Sequence, residues 1–147
     1  MGGPKEDPLT DPALTVTPVL TDDLRAWLVA ELRYPVLAVI NGEGAPNQSV
    51  MWFDLDPERA DTILMNTMTR RAKFRWLSRD PRASLCFEDE LFWVAMQGSV
   101  EMDTDRERAL ADIKALARRY GSDPERFNGQ ERVTLRLRVD KVVRHDD

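Results

Sequence analysis

Residues 63–81 read ILMNTMTRRAKFRWLSRDP. Ile63, Leu64 and Met65 form a short apolar run of strand character. Asn66 and Thr67 break it, and a helix-like segment follows. That segment carries Arg70, Arg71, Lys73, Arg75 and Arg79, with no acidic residue before Asp80. Asp80-Pro81 ends it, because proline restricts the residue before it and has no N–H. The whole chain carries a formal net charge of -5, so these cations gather where a strand hands over to a helix. The free N–H groups of a helix start attract phosphate, and hydroxyls and Arg/Lys side chains add charge-assisted bonds. The segment therefore reads as a site for a phosphorylated ligand. Taken alone, the same charges also describe a solvated helix face.

The elements around it follow from pattern and punctuation. Residues 1–20 contain Pro4, Pro8, Pro12 and Pro18 with few apolar positions and read as a loose arm. Thr21 suits an N-cap, and Leu24, Trp27, Leu28 and Leu32 share one helical face. Val36–Ile40 is an apolar strand, Asn41-Gly42-Glu43-Gly44 a hairpin turn, and Ser49–Leu55 the returning strand. Ala83–Phe87 and Phe92–Met102 flank the acidic turn Glu88-Asp89-Glu90. A helix is expected over about Thr104–Tyr120, closed by Gly121. The last strand alternates cleanly, with Val133, Leu135, Leu137 and Val139 on one face. Counting 63–66 as well, six strands with three helices predict a mainly β, six-stranded antiparallel barrel with flanking helices. One domain is expected over residues 21–147. The pattern is not a regular strand–helix alternation and holds no GxGxxG, which excludes a dinucleotide-binding fold of that type.

Composition narrows the function. At 147 residues, 42% hydrophobic and 32% charged, the chain is that of an ordinary one-domain protein. No apolar run reaches the ~18 residues of a membrane span, and the N-terminal segment lacks the pattern of a secretory signal. A cytoplasmic protein with no membrane partner is expected. The acidic balance argues against nucleic-acid binding. A single cysteine, Cys86, and a single histidine, His145 in the charged tail, exclude a Cys/His nucleophile or a zinc cluster, so no metal is expected. Cys86 lies in the apolar run 83–87 and reads as a core thiol.

Read in order, the Gly-rich hairpin, Pro46-Asn47-Gln48-Ser49, Trp52-Phe53, the Asp-Pro turn, and Arg71-Ala72-Lys73 with Leu77, Arg79-Asp80-Pro81-Arg82-Ala83-Ser84-Leu85 form a distinctive succession. It resembles the pyridoxamine 5'-phosphate oxidase-like split-barrel family, and within it the branch that uses the deazaflavin coenzyme F420. The resemblance covers about residues 22–143. Trp76 stands where the family form usually has Asn. The resemblance implies a split β-barrel and a homodimer with two cofactor sites at the subunit interface. It places Ser49, Val50, Met51 and Trp52 along the flavin-like ring. Asn66 and Thr67 lie on the strand leading to the phosphate and acidic tail, with Arg71, Ala72 and Lys73 at that tail; the cation run itself adds Arg70 to the cofactor-binding residues. Trp93 would reach the cofactor from the partner subunit, with Gln97 and Gly98 nearby.

The expected function is a coenzyme F420-dependent reductase delivering a hydride to an unsaturated small organic substrate. An FMN-binding flavoprotein on the same fold is the alternative, and a non-catalytic binder of a flavin, deazaflavin or tetrapyrrole is a third reading. Dispersed cations suit an extended anionic tail, with Lys matching phosphate and Arg carboxylate. No catalytic residue is assigned: Tyr34, Tyr120 and Asp54 do not make a convincing general acid, which leaves the acceptor proton to water.

Overall fold

The structure is a computed structural model that describes residues 18–145. The expected arm, residues 1–20, lies outside the described residues except for 18–20. There the backbone N–H of Leu20 donates to Asp61 Oδ1 at 2.8 Å, and the Leu20 side chain is buried in the core. Three helices, α1 (Asp22–Val29), α2 (Ala72–Arg79) and α3 (Arg106–Arg119), accompany seven strands. The strands are β1 (Val36–Ile40), β2 (Pro46–Val50), β3 (Asp54–Leu55), β4 (Thr62–Met68), β5 (Arg82–Asp89), β6 (Phe92–Asp103) and β7 (Arg132–Arg144). A short 3-10 turn, Pro124–Phe127, precedes β7.

All pairings in the sheet are antiparallel, in the order β2-β1-β5-β6-β7-β4-β3. Consecutive strands β2 and β3 thus occupy its two opposite edges. The four peptide steps from Val50 to Asp54 reach ~14 Å at most, so the sheet must roll until its edges nearly meet. The result is a β-barrel whose seam is crossed by covalent chain, residues 51–53, rather than by a ladder of hydrogen bonds. The expected barrel is therefore correct in type, with seven strands in place of six. The returning strand read as continuous over Ser49–Leu55 is two strands, because Val50 pairs with Val36 at one edge while Asp54 pairs with Leu64 at the other.

Alternation along each strand fills the barrel. Leu37, Val39, Ile63, Met65, Leu85, Phe87, Val94, Met96, Val133, Leu135 and Leu137 point inward and are buried. Phe53, entering from the seam, sets its ring edge-on to Phe87 at 4.9 Å. α3 packs Ile113 and Leu116 on Leu64, outside the barrel. This cover buries Thr134 and Arg136, the alternate residues of β7, as well. Arg136 is accommodated by carboxylates: Nε lies 3.0 Å from Asp56 Oδ2, and Nη1 3.1 Å from Asp103 Oδ2. Asp112 of α3 stands 3.9 Å from Nη2 and accepts from Thr134 Oγ1 at 2.7 Å. A guanidinium under a helix is tolerable only when ringed in this way.

Several local expectations are refined. Thr21 caps α1 through a 3.3 Å bond to the Leu24 N–H, but the helix ends at Val29, and Leu32 beyond it is exposed. α3 starts at Arg106 with Asp105 as its cap. Cys86 is not a core thiol: Leu85 and Phe87 take the inward positions of β5, and period-two alternation turns Cys86 to the exposed outer face. Among the described residues no helix is long and apolar enough to cross a membrane.

Candidate functional site

The cation-rich stretch singled out in the sequence opens α2. Arg71 is the residue preceding the helix, and α2 has no side-chain cap, unlike α1 and α3. The N–H groups of Ala72 and Lys73 in its first turn therefore lack the acceptor that a Ser, Thr or Asp supplies elsewhere. Cations rather than carboxylates surround this positive helix end. Arg70 and Arg71 are exposed, and Lys73 is half-buried.

Tertiary structure adds a further cation that local reading missed. Arg132 opens β7, pairs with Met68 at the end of β4, and is only 9% exposed. Its Nε donates to Asn66 Oδ1 at 2.9 Å and its Nη1 to Gln130 Oε1 at 2.9 Å. Asn66 in turn donates Nδ2 to the Ala109 carbonyl at 2.9 Å. Among the described residues, Arg70, Arg71, Lys73, Arg75, Arg79 and Arg132 form no ion pair with a carboxylate. By contrast Arg59, Arg82, Arg106, Arg108, Arg136 and Arg138 all do.

Burial and, after it, mutual repulsion both disfavour the charged forms of these groups. Burial, then the charges of Arg71 and Arg132, push the Lys73 ammonium below its ordinary value. Burial, then Arg71, brings the Arg132 guanidinium down to about 10. In an acidic chain, a buried and a half-buried cation left facing a third is the arrangement that an anion from outside relieves.

Arg132 and Asn66 line a cavity of about 210 Å³ whose other walls are Val50, Met51, Trp52, Ile113, Leu116 and Phe127. The seam segment thus meets the cation cluster here. Trp52 is held by Tyr120, the residue after α3, with the two rings stacked at 5.2 Å and 9°. Tyr120 is itself fixed: its hydroxyl donates to the Arg33 carbonyl at 2.6 Å and accepts from the Phe53 N–H at 3.2 Å. Burial raises its pKa, so this phenol is committed to structure. Phe127, from the 3-10 turn, meets Trp52 edge-on at 6.2 Å and lies 5.3 Å from the Arg132 guanidinium.

Of the residues expected at the site, Val50, Met51, Trp52 and Asn66 border this cavity, and Ser49 precedes it, its hydroxyl 3.7 Å from Met51 Sδ. Thr67 is buried and alternates to the opposite side of β4 from Asn66. Trp93 and Gln97 project from the outer face of the sheet and do not border the cavity. Trp93 there meets the His145 ring at 5.8 Å. Gly98 sits at a bulge of β6, where a Cβ would stand 1.9 Å from the Arg138 carbonyl oxygen. That close backbone approach requires glycine whatever else the residue does. Arg132 and Phe127 carried no local signal, and Tyr120 was weighed only as a general acid, since only the β4–β7 pairing and the α3 packing bring them in.

The outer sheet face is apolar along one register row. Val50, Val36, Cys86, Ala95 and Val143 lie opposite one another across five strands. Gln48, Ala38, Ser84, Gln97 and Lys141 form the next row. Val50 is 65% exposed here.

A seven-stranded split barrel with an uncapped, cation-ringed helix start beside its seam defines a class of small ligand-binding barrels. The chain belongs to the pyridoxamine 5'-phosphate oxidase family, whose sequence pattern matches residues 20–146. By its description this is a family of oxidoreductases. Among solved structures, an F420 reductase is 22% identical, with 80% of this chain and 94% of that chain covered at a TM-score of 0.69. A conserved hypothetical protein from Mycobacterium tuberculosis is 23% identical, with 86% and 84% covered at 0.71. A putative pyridoxamine 5'-phosphate oxidase from Listeria innocua is 14% identical, with 86% and 98% covered at 0.65. These likenesses are of fold. No curated protein matches the chain.

Proposed function

We propose that this protein is a homodimeric, coenzyme F420-dependent reductase of small unsaturated organic molecules. The observation that carries the reading is the cluster Arg71, Lys73 and Arg132, which no carboxylate neutralises among the described residues, at the uncapped start of α2 and beside the seam. Lys73, Arg71 and the first N–H groups of α2 hold the phosphodiester. Arg70, Arg75 and Arg79, spread beyond it, suit the carboxylates of a long tail. Ser49 to Trp52 support the ring, and Asn66 and Thr67 belong to the strand that leads to the phosphate. When bound, a deazaflavin supplies a hydride equivalent; the chain supplies position and electrostatics. With Tyr120 tied to two backbone groups, the acceptor proton comes from water.

The compactness of the Arg71–Lys73–Arg132 cluster favours one alternative, FMN, whose terminal phosphomonoester needs a small, strongly cationic pocket. The extra cations along α2 weigh for the longer tail. Dimerisation through the outer sheet face covers the Val50–Val143 row and brings Trp93, Gln97 and Gly98 of one subunit toward the site of the other.

Titration of the apo-protein with F420 and FMN side by side tests the reading. F420 binds more tightly at equal ionic strength, and its affinity falls with salt. Replacing Arg71 or Lys73 by Ala weakens binding about 10- to 100-fold while the fold survives. Tighter FMN binding transfers the function to the flavoprotein alternative. Unchanged binding in the double variant returns the cations to the role of a solvated helix face.

A further inference from the structure

We infer that Arg119, the last residue of α3, is a positioning residue for the ring end of the cofactor: with Tyr120 it holds the backbone of the seam and so sets Trp52 against the bound ring. The inference rests on the reading of residues 49–52 as the ring's bed.

The seam has no ladder, so its backbone groups need partners from elsewhere. Met51 finds one in the loop after α1, its N–H donating to the Pro35 carbonyl at 2.9 Å. Phe53 takes partners for both of its backbone groups from the end of α3. Its N–H donates to Tyr120 Oη at 3.2 Å, and its carbonyl accepts from Arg119 Nε at 3.0 Å. Trp52 is therefore fixed through the residue on either side of it, as well as through the stacked Tyr120 ring.

A contact made only for packing does not require an arginine here. The Arg119 side chain is 20% exposed, and its Nη2 is the one buried side-chain nitrogen or oxygen without a partner among the described residues. Asp54 Oδ1 stands 4.0 Å from Nε, beyond hydrogen-bond reach, and accepts instead from the Leu55 N–H at 2.8 Å. A desolvated charge with an orphaned N–H opposes stability. Its position is set by two rings, Phe53 at 5.3 Å and Tyr120 at 5.6 Å, and its one recorded bond goes to the seam. α3 thereby serves both ends of the site. Its Ala109 carbonyl orients Asn66 toward Arg132, and Arg119 lies ~15 Å further along the same helix at 1.5 Å per residue. One helix spaces the cation cluster from the ring's bed.

Arg119→Met keeps the length of the stem and deletes the donor. F420, FMN and ribitol 5-phosphate, which is FMN without its ring, are titrated into the full chain, and amide hydrogen exchange is followed in the apo-protein. In the variant the amides of Trp52 to Asp54 exchange at least about tenfold faster while those of β7 keep their native rates. Affinity for F420, or for FMN if that binds better, falls at least about tenfold, and that for ribitol 5-phosphate stays within about twofold because the cations of α2 are untouched. Arg119→Gln, whose Nε2 lies as many bonds from Cα as the arginine Nε, keeps a donor for the Phe53 carbonyl and holds ring affinity within about threefold of native. Should Arg119→Met fail to fold, Tyr120→Phe serves instead: the ring stays for Trp52 to stack on, the hydroxyl bonded to Phe53 is lost, and the same split appears. Unchanged exchange at the seam, unchanged ring affinity, an equal loss for ribitol 5-phosphate, or a Gln variant as weak as the Met variant overturns the inference and leaves the cofactor reading in place. A native protein that binds neither F420 nor FMN more tightly than ribitol 5-phosphate overturns the ring's bed and this role with it.

Discussion

Arg132 donates its Nε to Asn66 Oδ1 across 2.9 Å, and Asn66 donates its Nδ2 to the Ala109 carbonyl across the same distance. The amide is oriented from both sides: α3 takes its donor, so only its oxygen can face the guanidinium. A helix is thereby made to aim a strand residue's charge. The pair solvates Arg132 without neutralising it, which keeps its attraction for an incoming anion intact.

Asn66→Ala removes that support. The buried Nε of Arg132 and the Ala109 carbonyl each lose a partner, and the apo-protein loses about 1–3 kcal/mol of stability. Denaturant unfolding measures it. An unchanged midpoint would mean that water replaces the amide at no cost and that Arg132 is not held as described.

The pH dependence of the site is set by Lys73, whose charged form is disfavoured by burial and by its two cationic neighbours. Its ammonium attracts the anionic ligand at neutral pH. Cofactor affinity therefore falls as pH rises through the lowered Lys73 value. Apo stability moves the other way. Between that value and the ordinary Lys value, the unfolded chain holds a proton the native state has released, and stability rises with pH. Affinity and unfolding midpoints followed over roughly pH 7 to 10 check both signs. A Lys73→Ala variant loses the Lys73 contribution to each slope.

Arg136→Met leaves the almost fully buried Asp56 without its 3.0 Å partner and Asp103 without its 3.1 Å partner. Breaking one side of such a network costs about 3–5 kcal/mol, read from chemical unfolding of the apo-protein. A loss near zero would show the surrounding carboxylates to be self-sufficient, against the geometry of the four-residue network.

Ala95→Glu places a charge in the middle of the apolar row between Cys86 and Val143. Light scattering shows the native chain as a dimer and this variant as a folded monomer with weakened cofactor binding. Trp93→Ala stays folded and loses cofactor affinity or turnover. A native monomer that binds cofactor at full strength ends the interface reading and makes Trp93 a surface-packing residue only.

Much of this was legible in the residues themselves. Strand alternation in 133–139 gave the inward face of β7 correctly, and the Asp80-Pro81 stop ended α2 where the helix ends. Thr21 as the α1 cap was equally plain, because a cap is a bond between residues three apart. The same logic misplaced Cys86. An apolar run looks buried throughout, but a strand shows each face only every second residue, and neighbours outside the run decide which face is covered. The split of residues 49–55 into two strands was also hidden, because a strand break at a sheet seam needs no Gly or Pro when the flanking halves simply have different partners.

The sequence by itself determined the class of fold, the positions of the helices and the clustering of cations from Arg70 to Arg79, all of which depend on short-range pattern and charge. Tertiary structure alone decided that Arg132 and Asn66, 66 residues apart, would share one bond at the end of β4. It also decided that Trp52 would be clamped by Tyr120 and that a barrel seam would open beside the helix start. Those relationships are set by strand pairing and by the cover of α3. Long-range contacts of this kind arise only when the whole sheet rolls closed, and no window of local sequence contains the energy difference that selects them.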